Sequence, residues 1–273
     1  MSAATWGGSD FVGGFGSRRA PALLVVASGH LVSLLILLAI CLGAHLALPA
    51  NHDLLFAALG GFEGALALAL FYRALAMGAM GLTAALTGLL TALVPVLFSL
   101  FHDGLPNRLT AAGLAIGLAA IWLITHSPSN GSLQKQTATP PAALLLGALA
   151  GLGFGTQLIL FKLAAAGNIL WVMTSARGAG VSAMIMVILV MPPVRPWHGF
   201  WLFGILAGSL DTLGNLLYIQ TTRLGRLDVA ALVCSLYPAG TILLAALVLR
   251  ECPTRRQFAG MALALAAVAL LSF

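Results

Sequence analysis

The segment PNRLTAAGLAIGLAAIWLI at 106–124 aligns without gaps with PTRRQFAGMALALAAVALL at 253–271, at an offset of 147 residues. Ala and Leu match easily between apolar segments, so identical pairs of other residue types are the informative ones. These pairs are Pro106 and Pro253, Arg108 and Arg255, and Gly113 and Gly260. We interpret the chain as two copies of one unit, each closing with this apolar helix.

The composition places both copies in a membrane. Of the 273 residues, 60% are hydrophobic and only 7% are charged, whereas soluble domains have about a quarter charged residues. A helix needs about 20 apolar residues to cross the hydrocarbon core. The apolar runs predict ten spans, at 1–16, 20–48, 54–77, 83–101, 109–125, 142–161, 169–191, 200–222, 229–249 and 254–273. We therefore predict an all-α membrane protein without a soluble catalytic domain.

A wholly polar stretch, HSPSNGSLQKQTATPP at 126–141, separates the halves. We predict a first repeat at 1–126, a polar linker at 127–141 and a second repeat at 142–273. Because each repeat has an odd number of crossings, the second enters the bilayer from the opposite face. The fold prediction is ten transmembrane helices arranged as two inverted five-helix repeats, which is typical of secondary transporters.

The first span is short compared with its counterpart. Five residues precede Trp6, whereas twelve residues of the sixth span precede the equivalent Phe154. We expect either a natural start upstream of Met1 or an unusually short first helix. Pro95 and Pro238, which align at a slightly different offset, predict kinks in two equivalent helices.

The charged and metal-binding residue types exclude several classes of function. Thirteen Lys and Arg against seven Asp and Glu give a charge of +6, but the basic residues stand singly or in pairs at the ends of apolar runs. That pattern indicates anchoring at the membrane surface, so we expect no nucleic-acid partner. Cysteines and histidines have no metal-ligand spacing, so we expect no metal, no cofactor and no enzyme site.

The stretch LYPAGTILLAALVLRECPTRRQFAGMALALAAVALLS at 236–272 resembles the closing helices of the EamA family of the drug/metabolite transporter (DMT) superfamily. WGGSDFVGGFGSRRAPAL at 6–23 and FYRAL at 71–75 are similar to the same family. One departure is Arg250-Glu251, where the family has Gly-Glu before its last helix. The resemblance implies a multi-pass carrier of the inner cell membrane, with both termini in the cytoplasm, that moves metabolites or drugs by alternating access.

The distribution of basic residues favours the reverse orientation. With the termini in the cytoplasm, the predicted loops place four Lys and Arg residues on the cytoplasmic side and eight on the other side. The positive-inside rule expects the excess in the cytoplasm. The family resemblance and the charge count therefore predict opposite orientations.

Ionisable residues inside spans cost about 2.5–3.5 kcal/mol each on insertion scales, so they mark functional positions. The candidates of this kind are Asp10, His30, Glu63, Arg177 and Asp211. His30 and Arg177 occupy equivalent positions at the offset of 147 residues, so we expect both to face the centre of the bundle. The structural alternatives are an ion pair of Arg177 with Asp211 or Glu63, and a histidine hydrogen-bonded in the interior.

Polar residues also recur along one face of the eighth span. Asp211, Asn215, Tyr218 and Thr222 are separated by four, three and four residues, so they share one helix face. Such a stripe predicts a hydrated cavity, and hydrogen bonding between helices is the alternative. Trp6, deep in its span, and Gln157 complete the candidate binding residues. Thr83, Thr87 and Thr91, and the row Gly147, Gly151 and Gly155, predict packing surfaces.

The sum of the buried charges suggests the transport mechanism. Three carboxyl groups against one arginine leave up to two uncompensated negative charges, which makes protonation part of the cycle. We predict a secondary-active, proton-coupled transporter of a small cationic, zwitterionic or amphipathic solute, working as a monomer or homodimer. The alternatives are an integral-membrane lipid-handling protein or enzyme, and a membrane subunit that transports nothing.

Overall fold

The computed structural model describes residues 1–77, 80–125, 140–192, 199–249 and 254–271, and these residues form α-helices joined by short connections. The helices are α1 (Ser2–Ser17), α2 (Ala22–Gly43), α3 (Asn51–Met77), α4 (Met80–His102), α5 (Arg108–Thr125), α6 (Pro141–Leu163), α7 (Ile169–Val190), α8 (Phe200–Leu224), α9 (Leu227–Cys234), α10 (Tyr237–Val248) and α11 (Arg255–Leu271). The predicted linker, apart from Pro140 and Pro141, and the Arg250-Glu251 turn lie outside the described residues.

Six helical segments are long and apolar enough to cross a membrane: α2, α3, α6, α7, α8, and α9 together with α10. Shorter apolar helices at Leu86–His102 and Arg108–Ala120 accompany them. The protein is therefore a multi-pass membrane protein. Helix α1 has 16 residues and extends for about 24 Å at 1.5 Å per residue.

The ninth predicted span is broken in two, whereas its counterpart is continuous. Helix α9 ends at Cys234 and α10 begins at Tyr237, so that Pro238 lies in the first turn of α10. Proline is tolerated there because a first-turn amide has no partner within the helix. Helix α4, in contrast, continues through Pro95. Of the two predicted proline effects, the structure thus has a full break only at Pro238.

Helices α1 and α8 pack in opposite directions. Ser2 Oγ donates to the carbonyl of Gly214 at 2.8 Å, and Ser9 Oγ donates to the carbonyl of Ala207 at 2.9 Å. The later residue of α1 thus contacts the earlier residue of α8. The two helices are therefore antiparallel.

Helices α2 and α7 are also antiparallel, and they meet from different halves of the chain. Near the end of α2, Cys41 Sγ lies 3.6 Å from Thr174 Oγ1, close to the start of α7. At the same end, Trp171 Nε1 donates to the carbonyl of Leu46 at 2.9 Å. The end of one helix thus meets the beginning of the other.

Two helix crossings bring backbone directly against backbone. Where α2 crosses α8, a Cβ atom added to Gly208 would lie 2.4 Å from the Cα atom of Gly29. Where α3 crosses α7, a Cβ atom added to Gly61 would lie 2.1 Å from the carbonyl oxygen of Ala176. Small residues at such crossings let membrane helices approach closely and gain van der Waals contact.

The predicted threonine and glycine surfaces pack against each other between α4 and α6. Thr87 Oγ1 donates to the carbonyl of Gly147 and also to the carbonyl of Thr83, both at 2.9 Å. A Cβ atom added to Gly151 would lie 2.6 Å from the carbonyl oxygen of Thr87. The hydroxyl group of Thr87 therefore stabilises a helix interface.

Basic side chains tie several helix ends together at one face of the bundle. Lys162 donates to the carbonyl of Thr222, and Arg223 Nε donates to the carbonyl of Ala165 at 2.6 Å. Arg226 reaches the loop after α4 through the carbonyl of Gly104 at 3.2 Å. These contacts hold the ends of α4, α6 and α8 close to one another.

The turn after α4 gives a pH-dependent prediction. Asp103 accepts hydrogen bonds from Ser99 Oγ at 2.6 Å and from His102 Nδ1 at 3.1 Å, and the Ser99 bond, followed by the His102 bond, lowers the pKa of Asp103. A lowered pKa in the folded state contributes stability above the unfolded pKa of about 3.9 and loses it as the pH falls through the folded value. We expect Ser99→Ala to lower the melting temperature at pH 7 and to have little effect near pH 2.

The expected change is small because the Asp103 side chain is 39% exposed, and solvent screens its interactions. The measurement is thermal unfolding of purified protein in detergent at both pH values. The matched control is the same Ser99→Ala change in an Asp103→Asn background, where the pH dependence should disappear. An equal loss of melting temperature at both pH values would contradict the prediction.

Candidate functional site

A cavity lies between the helices of the bundle, and we call it the chamber. The described residues that line it come from α1, α3, α4, α6, α8 and α10: Trp6, Asp10, Leu68, Thr91, Phe154, Gln157, Leu158, Asp211, Asn215 and Tyr237. Asp211 is the twelfth of the 25 residues of α8, so the chamber reaches the middle of a membrane-spanning helix. Five of the nine candidates from the sequence line it: Trp6, Asp10, Gln157, Asp211 and Asn215.

Arg177 and Asp211 form an ion pair at the edge of the chamber. Arg177 Nη2 donates to Asp211 Oδ2 at 2.7 Å, and the two side chains are 4% and 14% exposed. Asn215 Nδ2 donates to Asp211 Oδ1 at 3.1 Å and to the Asp211 carbonyl at 2.8 Å. Charge-assisted hydrogen bonds of this kind are about twice as strong as neutral ones. The carboxylate of Asp211 is therefore compensated within the protein.

His30 joins the same group from the other half of the chain. Arg177 Nη1 lies 3.2 Å from His30 Nε2, and the predicted equivalence of these two positions thus corresponds to direct contact. Because a guanidinium group has only donors, the ring nitrogen that faces it accepts the hydrogen bond and carries no proton. The His30 ring also lies against Gly180, where an added Cβ atom would be 2.2 Å from His30 Nδ1.

Asp10 is the carboxyl group of the chamber that has an oxygen atom without a hydrogen-bond partner among the described residues. It is 6% exposed, and the oxygen without a partner is Oδ2. Leaving a buried polar atom unsatisfied costs about 1–3 kcal/mol, and more for a charged group. Asp10 is therefore a position where a proton or a bound cation gains free energy.

Aromatic rings form part of the chamber wall. The ring of Trp6 packs edge-on against Tyr237, with centroids 6.3 Å apart, and lies 5.9 Å from the ring of Tyr218. The ring of Phe154 packs edge-on against Phe71 at 5.8 Å. Edge-on packing is a favoured arrangement of aromatic rings, and the chamber presents these aromatic surfaces next to its carboxyl groups.

Four candidate residues lie outside the chamber lining. His30 and Arg177 stand behind Asp211, as described above. The hydroxyl of Tyr218 donates to the carbonyl of Leu158 at 2.9 Å. At this residue the polar stripe of α8 therefore forms a hydrogen bond to α6, which is the alternative to a hydrated cavity. Glu63 is half-buried on α3, against Gly153, and its role in coupling stays a prediction.

Sequence reasoning missed three polar contributors to the site. Tyr72 is 1% exposed, and its hydroxyl lies 3.0 Å from Ser9 Oγ, one residue before Asp10. Thr91 and Tyr237 line the chamber. The proximity of Tyr237 to the helix-breaking Pro238 was the available signal, because helix breaks in membranes occur where they line a cavity or are buried in protein.

The described residues hold no group of three or more His, Cys, Asp or Glu side chains placed to bind a metal ion. The chemistry that the chamber offers is therefore that of carboxyl groups, amides and aromatic rings. These groups bind solutes and exchange protons.

The fold and the chamber define a multi-pass α-helical membrane protein with charged residues gathered in its interior. The model of the EamA-like transporter family matches residues 141–273. The second half of the chain therefore matches this family, which belongs to the DMT superfamily, as the sequence predicts.

A comparison with solved structures extends the likeness of fold to both halves. A structure described only as "Crystal structure of protein" is similar over 100% of this chain and 99% of its own, with a TM-score of 0.71 and 16% sequence identity. At that identity the similarity concerns the fold alone. No curated protein sequence matches the chain.

Proposed function

We propose that this protein is a secondary-active, proton-coupled transporter that moves a small solute across the membrane by alternating access around the chamber. The match of residues 141–273 to the EamA-like transporter family supports a membrane transporter of the DMT type. The observation that carries the finer proposal is the buried, unpartnered carboxyl group of Asp10 in a cavity at mid-membrane depth. Substrate sites of secondary transporters lie at this depth, between their repeats.

Matching contacts in the two halves support the inverted-repeat arrangement. Gly29 lies against Gly208 where their helices cross. At the offset of 147 residues Gly29 corresponds to Ala176 and Gly208 corresponds to Gly61, and these two residues also lie against each other. The first contact pairs α2 with α8 and the second pairs α7 with α3, which are the equivalent helices under the predicted repeat. Because α2 and α7 are themselves antiparallel, a two-fold axis in the membrane plane is the relation that we propose.

Proton coupling is supported by the balance of charge around Asp10. The titratable and charged groups near it are Asp211 on α8, Arg177 on α7, His30 on α2, Tyr72 on α3 and Tyr237 on α10. Arg177 pairs with Asp211 and leaves Asp10 uncompensated. An ionised carboxylate without a partner is costly in this environment, so a proton or a cationic solute must neutralise it in each state of the cycle.

The remaining parts of the proposal follow from this mechanism. The solute is small and cationic, zwitterionic or amphipathic, since the chamber combines carboxyl groups with aromatic walls. We place the protein in the inner cell membrane, as a monomer or a homodimer, with lipid and solute as its partners.

The test of coupling is the change Asp10→Asn in reconstituted proteoliposomes. We expect at least a tenfold loss of solute-driven proton flux, because asparagine has the size of aspartate and cannot exchange a proton, and positioned proton transfer contributes about 10²–10⁴-fold. The measurement uses a pH-sensitive dye trapped in the vesicles and additions of phenethylammonium, phenylalanine and phenethyl alcohol as solutes. The variant should keep the wild-type melting temperature within a few degrees, because Asp10 has no ion-pair partner to lose.

Asp103→Asn is the matched control, because Asp103 lies in an exposed turn remote from the chamber, and it should keep the wild-type flux. Unchanged flux in Asp10→Asn, with the same response to the imposed pH gradient, would contradict proton coupling through this residue. Glu63→Gln, measured alongside, tests the coupling role predicted for Glu63 from the sequence.

A further inference from the structure

We infer that the chamber selects a small organic monocation with an apolar body, whose ammonium group pairs with Asp10 while its apolar part packs against Trp6, Phe154 and Tyr237. The inference rests on the proposed function only in treating the chamber as the solute site. Of the cationic, zwitterionic and amphipathic solutes in the proposed function, it selects the cationic class.

The chamber has one carboxyl group whose charge is not compensated by the protein. Two carboxyl groups line the chamber, and Asp211 already receives hydrogen bonds from Arg177 and Asn215. Asp10 is 94% buried and has an oxygen without a hydrogen-bond partner in the part of the chain that the structure describes. One negative charge is therefore available to a solute, and one positive charge balances it.

The chamber offers no cationic partner to a solute carboxylate. Among the described chamber-lining residues there is no Lys, Arg or His, so the carboxylate of a zwitterion would meet only neutral donors such as the Gln157 amide. Arg177, the nearest guanidinium group, is 3% exposed and donates to Asp211 and His30. An amino acid would thus place its carboxylate beside two aspartates without a counter-charge.

Aromatic rings in different planes form part of the chamber walls. The rings of Trp6 and Tyr237 meet at 89°, and those of Phe154 and Phe71 meet at 90°. Aromatic faces attract cations, tryptophan most strongly, and more so where water is excluded. The same rings bury an apolar body. Both parts of an arylalkyl ammonium ion are therefore recognised by residues that are already in place.

The test is calorimetric titration of the full-length protein in detergent with three probes of the same apolar body. Phenethylammonium carries one positive charge, phenethyl alcohol is its neutral analogue, and phenylalanine is the zwitterion. We expect phenethylammonium to bind at least tenfold more tightly than either of the others. Absence of phenethylammonium binding, or equal binding of phenylalanine, overturns the inference without any mutant.

Variants then assign the binding to Asp10. Asp10→Asn should weaken phenethylammonium binding at least tenfold and leave any phenethyl alcohol binding unchanged, whereas Asp10→Glu should retain the preference for the cation. Asp103→Asn, as the control carboxyl, should bind like the wild type. Equal phenethylammonium affinity in Asp10→Asn and wild type, with both proteins folded by their melting curves, overturns the assignment.

The outcome is separable from that of the proposed function. If phenethylammonium binds through Asp10 but no probe drives proton flux in proteoliposomes, the inference about the chamber stands and the transport proposal fails. If phenylalanine or phenethyl alcohol drives flux that depends on Asp10 while phenethylammonium does not bind, transport stands and cation selection fails.

Discussion

Replacing Arg177 with methionine is expected to lower the free energy of unfolding by about 3–5 kcal/mol, the cost of removing one partner of a buried ion pair. The change leaves Asp211, 14% exposed at its side chain, with hydrogen bonds from Asn215 alone. It also removes the donor that faces His30. Stability should therefore fall more than the loss of one surface charge would cause.

The measurement is unfolding in mixed micelles of increasing denaturing-detergent content, followed by circular dichroism. The double variant Arg177→Met with Asp211→Leu should recover most of the loss, because a buried pair replaced by apolar residues is often neutral in stability. Arg73→Met is the control, since Arg73 is exposed on α3. Equal stability of Arg177→Met and wild type would show that the pair contributes nothing to the fold.

Adding a single methyl group at Gly208 or Gly61 is expected to cost about 3 kcal/mol, at the upper end of the range for overpacked cores. The added atom would lie 2.4 Å from the Gly29 Cα atom in one variant and 2.1 Å from the Ala176 oxygen in the other. Both neighbours are backbone atoms, which cannot turn aside as a side chain does. Whole helices must therefore move apart.

The control for these variants is Gly43→Ala. A Cβ atom added to Gly43 meets nothing within 4 Å, and alanine in place of glycine at a compatible position stabilises proteins by about 0.4–1 kcal/mol. Melting temperatures and the yield of monodisperse protein compare the three variants. If Gly208→Ala and Gly61→Ala unfold like Gly43→Ala, the close crossings are not required for the fold.

Hydropathy predicted most helices closely, because crossing a hydrocarbon layer imposes length and apolarity on a segment. The prediction 169–191 corresponds to Ile169–Val190, and 83–101 corresponds to Met80–His102. At Pro238 the sequence predicted a kink within one span, whereas the structure divides that span into α9 and α10, an outcome that depends on tertiary packing. At the break, α1 approaches so closely that a Cβ atom on Gly7 would lie 2.8 Å from the carbonyl oxygen of Tyr237.

At the site, the spacing of polar residues along α8 identified its polar face. It did not identify which groups each residue of that face contacts. Asp211 and Tyr218 belong to one predicted stripe, yet the first lines the chamber and the second bonds to a carbonyl of α6. A hydroxyl satisfied by a neighbouring helix and one satisfied by a solute have the same periodicity. The offset of 147 residues was more informative, since it paired His30 with Arg177 before any contact was known.

The contact of Arg177 with His30 has a mechanical consequence for any carrier cycle. It joins two antiparallel helices, α2 and α7, one from each half of the chain, at a point well inside each helix instead of at its end. Two helices that rock side by side about such a contact approach each other at one end as they separate at the other. In the alternating-access cycle that we propose, this contact therefore opposes opening toward both aqueous compartments at once.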